Sequence, residues 1–242
     1  MFVLHVELLG LTASFRVPHM FKYHRSLPLP QYTSIIGMFG AAIGKDMATA
    51  QVIFENFKIK MGISGSSAGS FNDTWRVLTT KNPERDVVER QIFYKPRYNI
   101  LFCSNDKCII EYCEKVFRYP IYPLSFGRPD DLVNAKVHPS FTSEVQPLQE
   151  LKDTIIVGIP TAQLEASLFD SEDPTDPGPC TLLYRLPIRF RFINGNPHER
   201  IAADFRDFTF IGSRKIKLET PVNGIKISRD NKESLEIPLL EI

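Results

Sequence analysis

The chain has 242 residues, of which 43% are hydrophobic, 24% charged and 11% aromatic. This composition is that of an ordinary globular protein, and a chain of this length can bury about 70% of its unfolded surface without a disulfide or a metal. The sequence has no run of apolar residues long enough to span a membrane. It also lacks the basic region and cleavage site of a secretory signal. We therefore expect a soluble, cytoplasmic protein with no membrane partner.

The charges are nearly balanced overall but unevenly distributed. There are 29 Lys and Arg against 28 Asp and Glu, which gives a net charge of +1. Residues 76–97 carry six basic and three acidic side chains, and residues 185–217 carry eight basic and three acidic ones. Residues 165–176, in contrast, hold five acids and no base. Separated basic segments are typical of a face that binds a polyanion, although the same charges can also coat solvated surfaces.

The hydrophobic pattern predicts elements in the order strand, helix, strands, helix, strand. This order indicates an α+β, ferredoxin-like βαββαβ domain at 1–165, followed by an acidic, Pro-rich linker at 166–180. The remaining residues, 181–242, form a β-rich C-terminal part that can complete the same sheet or make a small subdomain. The predicted strands are 2–9, 52–64, 71–80, 92–102 and 154–159, and the predicted helices are 34–48 and 105–118.

The first predicted helix is rich in glycine. Thr33 and Ser34 supply its N-cap, and Gly37, Gly40 and Gly44 fall on nearly one face. Each glycine costs about 1 kcal/mol relative to Ala in a helix. The pattern therefore predicts a close neighbour on this face, either a sheet or the backbone of a ligand.

Several enzyme signatures are absent from the sequence. It contains no P-loop, nucleophile elbow, HExxH or GxGxxG motif, and its five histidines are scattered. Cys103, Cys108 and Cys113 recur at five-residue spacing, which fits neither a zinc knuckle nor a CxxC redox pair. We interpret the cysteines as buried thiols, and we predict no catalytic residue, no metal and no cofactor.

Three features of the sequence are typical of a nucleic-acid binder, and each has a structural alternative. The loop at 10–30 interleaves basic and aromatic residues, which can contact phosphates and stack on bases or simply pin the loop. The helix start near Ser34 presents backbone N–H groups, and the glycines either admit a phosphate or allow tight packing. Residues 76–90 predict a charged hairpin that either contacts RNA or is a solvated loop.

Residues 10–44 read GLTASFRVPHMFKYHRSLPLPQYTSIIGMFGAAIG. The Ser-Phe-Arg triplet, the Leu-Pro-Leu-Pro run and the Ser-Ile-Ile-Gly start of the helix stand in the register of the CRISPR-associated Cas-five family, which this segment resembles. Two further stretches, 88–102 and 119–133, resemble the strand after the family's thumb and its Gly-Arg segment. The chain departs from the pattern at Gln31 and Tyr32, where the family often has proline and serine or threonine.

The resemblance implies a RAMP-type ferredoxin-like fold with a β-hairpin thumb at about 72–90. It also implies a non-catalytic subunit of a type I Cascade complex that caps the 5′ handle of the CRISPR RNA. Length and the Gly-Arg segment favour a type I-B-like subtype. The implied partners are the CRISPR RNA, the Cas-seven backbone subunit, the large subunit and, through the complex, target DNA. The predicted RNA-binding residues are Ser14, Phe15, Arg16, Lys22, His24, Arg25, Ser34, Gly37, Arg76, Lys81, Arg85 and Arg90.

Two other functions stay open. Members of type I-C systems cut precursor CRISPR RNA without a metal, using a tyrosine and an adjoining Lys-His pair. Such cleavage needs a base, an acid and a cation near the phosphate. This chain has no Lys-His dipeptide, but Tyr23, His24 and Arg25 could supply a substitute set. The third reading is a protein scaffold whose basic segments meet acidic partner surfaces.

Overall fold

The computed structural model describes residues 1–18, 20, 23–78, 85–158, 182–193, 196, 199–228 and 234–240, without the side chains of residues 77, 78, 85 and 86. These residues form a strand-rich, mixed α/β fold. The predicted linker at 166–180 lies outside them. The helices are α1 (Tyr32–Ile43), α2 (Met47–Asn56) and α3 (Lys107–Arg118). The strands are β1 (Phe2–Gly10), β2 (Thr12–Ala13), β3 (Phe15–Arg16), β4 (Tyr23–His24), β5 (Ser26–Leu27), β6 (Lys60–Ser66), β7 (Gly69–Leu78), β8 (Arg85–Tyr94), β9 (Arg97–Ser104), β10 (Val133–Val137), β11 (Phe141–Thr142), β12 (Gln146–Leu151), β13 (Thr154–Val157), β14 (Leu182–Phe192), β15 (Arg200–Ile211), β16 (Ile216–Ser228) and β17 (Ser234–Leu240).

Four strands form one half of the main sheet, in the spatial order β10–β1–β9–β6 with β10 at the edge. All neighbours among them run antiparallel. Along β1, Leu4, Val6 and Leu8 belong to the core shared with the helices, whereas Val3 packs in a second core with residues of β16 and β17, among them Ile225. This alternation, which follows from the period of two in a strand, places helices on one face of the sheet and a β-ribbon on the other.

The strand beside β1 at this end of the sheet is β10 and not the predicted strand at 154–159, so the place predicted for that strand was wrong. β13 does form at 154–157, but it lies beyond β6, where Thr154 pairs with Ser64, and it pairs mainly with β15. β10 was missed because only alternate side chains of its five residues are half-buried and none is fully buried. Such a short edge strand has a weak hydrophobic signal.

The C-terminal strands complete the same sheet. β13, β15 and β14 continue it beyond β6, and β17 pairs with β6 through Leu239 and Leu240. One side chain also ties β14 to the helical layer. The carboxamide of Gln51 on α2 donates to the carbonyl oxygen of Phe190 at 3.2 Å and accepts from its N–H at 2.9 Å.

The segment after the glycine-rich helix is helical, which corrects the predicted strand at 52–64. α1 ends at Gly44, whose φ of +66° stops the helix in the left-handed region. Asp46 then caps α2 by accepting a 2.8 Å hydrogen bond from the N–H of Thr49. Only the residues from Lys60 onward form the strand β6.

The glycines of α1 face α2 and not a sheet or a ligand. A Cβ on Gly40 would lie 3.1 Å from the carbonyl oxygen of Lys45 and 3.4 Å from the Cβ of Ala50. A Cβ on Gly37 would meet only the Sδ of Met47, at 3.8 Å, which is ordinary van der Waals contact. The close neighbours predicted from the sequence are therefore the turn into α2 and its Ala50 at Gly40, and Ile121 at Gly44, where a Cβ would lie 2.9 Å from the side chain.

Candidate nucleic-acid interface

A long hairpin, β7–β8, is inserted between β6 and β9. Its strands pair without interruption from Gly69 with Tyr94 to Leu78 with Arg85. The chain leaves β6 at Gly65, whose φ is +141° and where a Cβ would lie 2.2 Å from the carbonyl oxygen of Arg97, so this turn requires glycine. The hairpin is longer than the predicted 72–90, and residues 79–84 between its strands lie outside the described part.

The hairpin ends within the segment 92–102, which the sequence predicted to be one continuous strand. Lys95 has a φ of +47° and is followed by Pro96, and this turn separates β8 from β9. A left-handed residue and a proline cannot continue a strand ladder. The segment therefore contributes one strand to the hairpin and one to the main sheet.

The basic residues of the hairpin do not share one face. Asp73 pairs with Arg90 and Trp75 with Val88, whereas Arg76 pairs with Val87. Directly opposed residues of an antiparallel pair project to the same side, and neighbours along a strand alternate. Trp75 and Arg90 are therefore on one face of the hairpin, and Arg76 is exposed on the other. Arg76 and Arg90, both predicted to contact phosphates, therefore lie on opposite faces of the hairpin.

The loop after β1 runs along the hairpin and brings predicted residues together. β4 pairs in parallel with β8, with His24 opposite Arg90. The Nδ1 of His24 lies 3.5 Å from Nη2 of Arg90, and the hydroxyl of Tyr23 donates to Oδ1 of Asn72 at 3.2 Å. Arg16 on β3 is exposed, with its Nη2 3.0 Å from the carbonyl oxygen of Met20.

Trp75 is the shared contact of two arginines. The Cζ of Arg90 lies 4.7 Å from the centroid of the Trp75 ring, and the Cζ of Arg128 lies 5.1 Å from it. Both distances are within the range of cation–π attraction. The indole N–H of Trp75 also donates a hydrogen bond to Asp73. The ring therefore fixes where the two guanidinium groups stand relative to each other.

Arg128 is held from the other side by a buried carboxylate. Asp131 accepts from Nε of Arg128 at 2.9 Å and from Nη2 at 2.8 Å, in the bidentate arrangement that suits a guanidinium. Asp131 is only 1% exposed, and the hydroxyl of Thr12 donates to it as well. The hydrogen bonds that Arg128 donates to Asp131 raise the pKa of Arg128 above its usual value.

Arg16, Arg90 and Arg128 together form what we call the arginine cluster. The pKa of Arg90 is lowered, first by burial and then by the charges of Arg128 and Arg16. Within the described part of the chain, neither Arg16 nor Arg90 forms an ion pair. The cluster therefore offers charged hydrogen-bond donors to an anion.

Two predicted binding residues are structural instead. Phe15 is 3% exposed and packs against Tyr98 and Phe126, with ring centroids 6.1 and 6.0 Å away, so its ring cannot stack on a base. Ser14 is also buried, and its N–H donates to the carbonyl oxygen of Phe126 at 3.1 Å. These contacts fix the loop to the segment that carries Arg128.

The start of α1 differs from the prediction. The N-cap is Gln31, without a side-chain hydrogen bond, and Thr33 is buried. The N–H of Ser34 donates to the carbonyl oxygen of Gln31 at 2.9 Å, so it is not open to a phosphate. Gly37 lies in the middle of the helix.

The other predicted residues are placed as follows. Arg25 is half-buried, and its carbonyl oxygen accepts from the N–H of Val17 at 2.9 Å. Arg85 lies at the start of β8, and Lys22 and Lys81 are outside the described residues. The sequence analysis missed Trp75 and Arg128 as members of the site. The one tryptophan of the chain and the Gly-Arg pair at 127–128 were the available signals.

The cysteines differ in their accessibility. Cys103 and Cys113 are buried, which raises the pKa of each thiol to about 12, and Cys108 is exposed. Cys180 is outside the described residues. Within the residues that the structure covers, no group of three or more His, Cys, Asp or Glu side chains could hold a metal ion.

The fold and the site together define a strand-rich α/β protein with an inserted hairpin beside the arginine cluster. A family profile described as CRISPR-associated protein (Cas_Cas5) matches residues 3–193. The chain belongs to this family, which confirms the resemblance found at residues 10–44 and 88–133. No curated protein gives a significant match. Among the described helices, none is long and apolar enough to cross a membrane.

Solved structures similar to this chain include CRISPR proteins. A chain of a "CRISPR RNA-guided surveillance complex" is 16% identical, with a TM-score of 0.50 over 90% of this chain and 91% of the other. A CRISPR protein from Archaeoglobus fulgidus is 11% identical, with a TM-score of 0.46 over 98% and 99% of the two chains. A further Cas protein is 18% identical, with a TM-score of 0.36, and the match covers 52% of this chain and 57% of that one. At these identities, the first of these matches indicates a shared fold.

Proposed function

We propose that this chain is a non-catalytic subunit of a type I CRISPR surveillance complex, in which it binds and caps the 5′ handle of the CRISPR RNA. The observation that carries the proposal is the arginine cluster. Arg90 and Arg128 come from two separate segments and meet beside Trp75 at an inserted hairpin, and the charge of Arg16, from a third segment, acts on Arg90. Membership of the Cas_Cas5 family supports the same function.

The strand order supports a ferredoxin-like core. β1, α1, β6, β9, α3 and β10 follow one another in the order βαββαβ, and their strands are arranged β10–β1–β9–β6. This is the antiparallel arrangement in which the fourth strand borders the first and the third lies between the first and the second. We infer that β7–β8, inserted between the second and third of these strands, is the thumb that the resemblance implies.

The charged donors of the arginine cluster are suited to the phosphate backbone of a single-stranded RNA. Guanidinium groups bind phosphates through charged hydrogen bonds and fix the position of the backbone, while splayed bases are recognised by stacking and edge contacts. The partners of the proposal are the CRISPR RNA, the Cas-seven backbone subunit, the large subunit and, through the complex, target DNA. The subtype is type I-B-like, and the complex is cytoplasmic.

The test is binding of labelled repeat RNA by the purified chain, or by its complex with the backbone subunit if the chain alone is unstable. Arg90→Ala should weaken binding by about tenfold, because it removes one charged phosphate contact. Lys107→Ala is the matched control, since Lys107 is an exposed base on α3. Arg76→Ala should weaken binding less than Arg90→Ala does, because Arg76 faces the other side of the hairpin.

Salt dependence distinguishes RNA binding from a protein scaffold. For single-stranded RNA, each lost phosphate contact reduces the slope of log affinity against log salt by about 0.7. Arg90→Ala should show this reduction and Lys107→Ala should not. Unchanged affinity and slope in Arg90→Ala would refute the proposed role of the cluster. If the wild type binds no repeat RNA even within the complex, the scaffold function becomes the better account.

A second function, metal-independent cleavage of precursor RNA, is favoured by one observation. The imidazole of His24 lies beside the guanidinium of Arg90, and Tyr23, whose hydroxyl donates to Asn72, is the adjoining residue on the same strand. A base, an acid and a cation are the groups that such cleavage needs, with Arg25 as a further cation. A single cut in labelled repeat RNA in EDTA, lost in His24→Ala, would establish this activity. Shifted but intact RNA would favour the handle cap.

A further inference from the structure

Asp131 is a buried acid at a site that we assign to a polyanion. A buried carboxylate is costly unless it is paired and hydrogen-bonded. Here both carboxylate oxygens accept from Arg128, and the Thr12 hydroxyl donates to one of them. The backbone of Asp131 is also fixed, since its carbonyl oxygen accepts from the N–H of Phe126 at 2.8 Å. The carboxylate therefore has one position, and it determines the position of the Arg128 guanidinium.

The segment that carries this pair is anchored to the loop after β1. A Cβ on Gly127, whose φ is +89°, would lie 2.2 Å from the carbonyl oxygen of Ser14. The N–H of Ser14 in turn donates to Phe126. Arg128 thus follows a residue that is packed directly against the segment that also carries Arg16. Its place in the cluster is set by the backbone as well as by Asp131.

The charges of the site leave room for one anion. Asp131 holds Arg128, Asp73 accepts from Trp75 and lies opposite Arg90, and the exposed Asp130 also acts on Arg128. Buried Asp131 is therefore committed to Arg128, whereas the charged donors of Arg16 and Arg90 form no ion pair within the described residues. A phosphodiester carries one negative charge and several acceptor oxygens, so a single internucleotide phosphate suits these donors.

We propose that Arg16, Arg90 and Arg128 bind one phosphodiester group of the RNA, and that Asp131 is the positioning residue that holds Arg128 in this site. The assignment rests on the proposed function, because it names the place where the RNA backbone is bound. Trp75 is the surface that keeps Arg90 and Arg128 in their relative positions.

The direction in which one substitution changes the RNA affinity tests the proposal. Removing an acid near a polyanion site should strengthen RNA binding by simple Coulomb attraction. Asp131→Asn should instead weaken it by about tenfold, because Arg128 loses its orientation and a charged contact. Asp130→Asn removes an exposed acid at the next position and should bind as the wild type does, or slightly more tightly. Asp131→Asn should also reduce the salt slope by about 0.7, although it removes no positive charge.

A double-mutant cycle separates positioning from a general loss of structure. In an Arg128→Ala background, Asp131→Asn should cause little further loss of affinity, since the two residues act as a unit. If the losses of RNA affinity caused by the two substitutions multiply in the double variant, Asp131 does not act through Arg128 and its positioning role is overturned. Trp75 is the one tryptophan of the chain and reports on the cluster without RNA. The fluorescence emission of Trp75 should change in the same direction in Arg128→Ala and Asp131→Asn, and it should not change in Asp130→Asn.

The outcomes can be told apart. If the wild type binds repeat RNA and Asp131→Asn binds equally well, the positioning proposal fails and the proposed function stands. If the wild type binds no RNA alone or with the backbone subunit, the proposed function fails and the phosphodiester site fails with it. Thermal melting shows whether Asp131→Asn is folded. If it is not, Arg128→Ala, which leaves Asp131 in place, becomes the test of the phosphodiester site. Trp75 fluorescence and RNA affinity equal to those of the wild type in Arg128→Ala would overturn the site.

Discussion

Substitutions of two glycines in α1 should have opposite effects on stability. Gly37 has open space beyond its Cα, and the nearest atom to a new Cβ is the Met47 Sδ at 3.8 Å. Gly37→Ala should therefore raise the free energy of unfolding by the full difference in helix propensity between Gly and Ala, about 1 kcal/mol. For a chain of this size, that corresponds to an increase in Tm of about 2–4 °C. Gly40→Val should overpack the contact with α2 and cost about 1–2 kcal/mol net.

The measurement is thermal unfolding by circular dichroism at one protein concentration, with urea unfolding as a second probe. The sequence predicted a close neighbour along the whole face that holds both glycines. The structure limits the crowding to Gly40, where backbone oxygen lies 3.1 Å from the new Cβ. A lower Tm for Gly37→Ala, or an unchanged Tm for Gly40→Val, would refute this account of helix packing.

Three further outcomes follow from burial and hydrogen bonding. Phe15→Ala should destabilise the fold by about 3–5 kcal/mol in urea unfolding, because it removes a core ring and not a stacking surface; a loss of RNA binding at full stability would contradict this. Hydrogen bonding from the backbone N–H of Ser140 lowers the pKa of Glu114, so its stabilisation is present above the usual pKa of 4.5 and is lost as pH falls through the lowered value. Glu114→Gln should therefore flatten the pH dependence of Tm below about pH 4.5, and an unaltered profile would count against it. A thiol reagent followed by peptide mapping should modify Cys108 and spare Cys103 in the folded protein, whereas rapid labelling of Cys103 would show that it is not buried.

Local patterns predicted the long elements well. The strand predicted at 2–9 and the helix predicted at 105–118 correspond to β1 and α3, since both have strong periodicity. The prediction failed at α2, where Val52–Lys60 alternates as a strand does. The helix forms because Asp46 caps it and because Ala50 and Phe54, four residues apart, pack into the core. Tertiary packing here overrides the local alternation.

The composition of the site was harder to predict than its location. The sequence placed basic residues near the hairpin, and Arg16, His24 and Arg90 do meet there. Arg128 is separated from Trp75 by more than 50 positions, and a single sequence has no signal that joins them. The pairing of faces within the hairpin also depends on register, which a sequence alone does not fix.

The hydrogen bonds of Gln51 have a consequence for association between chains. Among the described residues, β14 is the last strand of the main sheet, and an open sheet edge is a template on which a strand of another molecule can add. At Phe190 the side-chain amide of Gln51 already occupies both backbone groups, in the way that a neighbouring strand would. A strand that added along this edge would have to displace the amide and leave Gln51, a buried side chain, unpaired. One glutamine from a helix thus protects part of a long edge against unwanted strand addition.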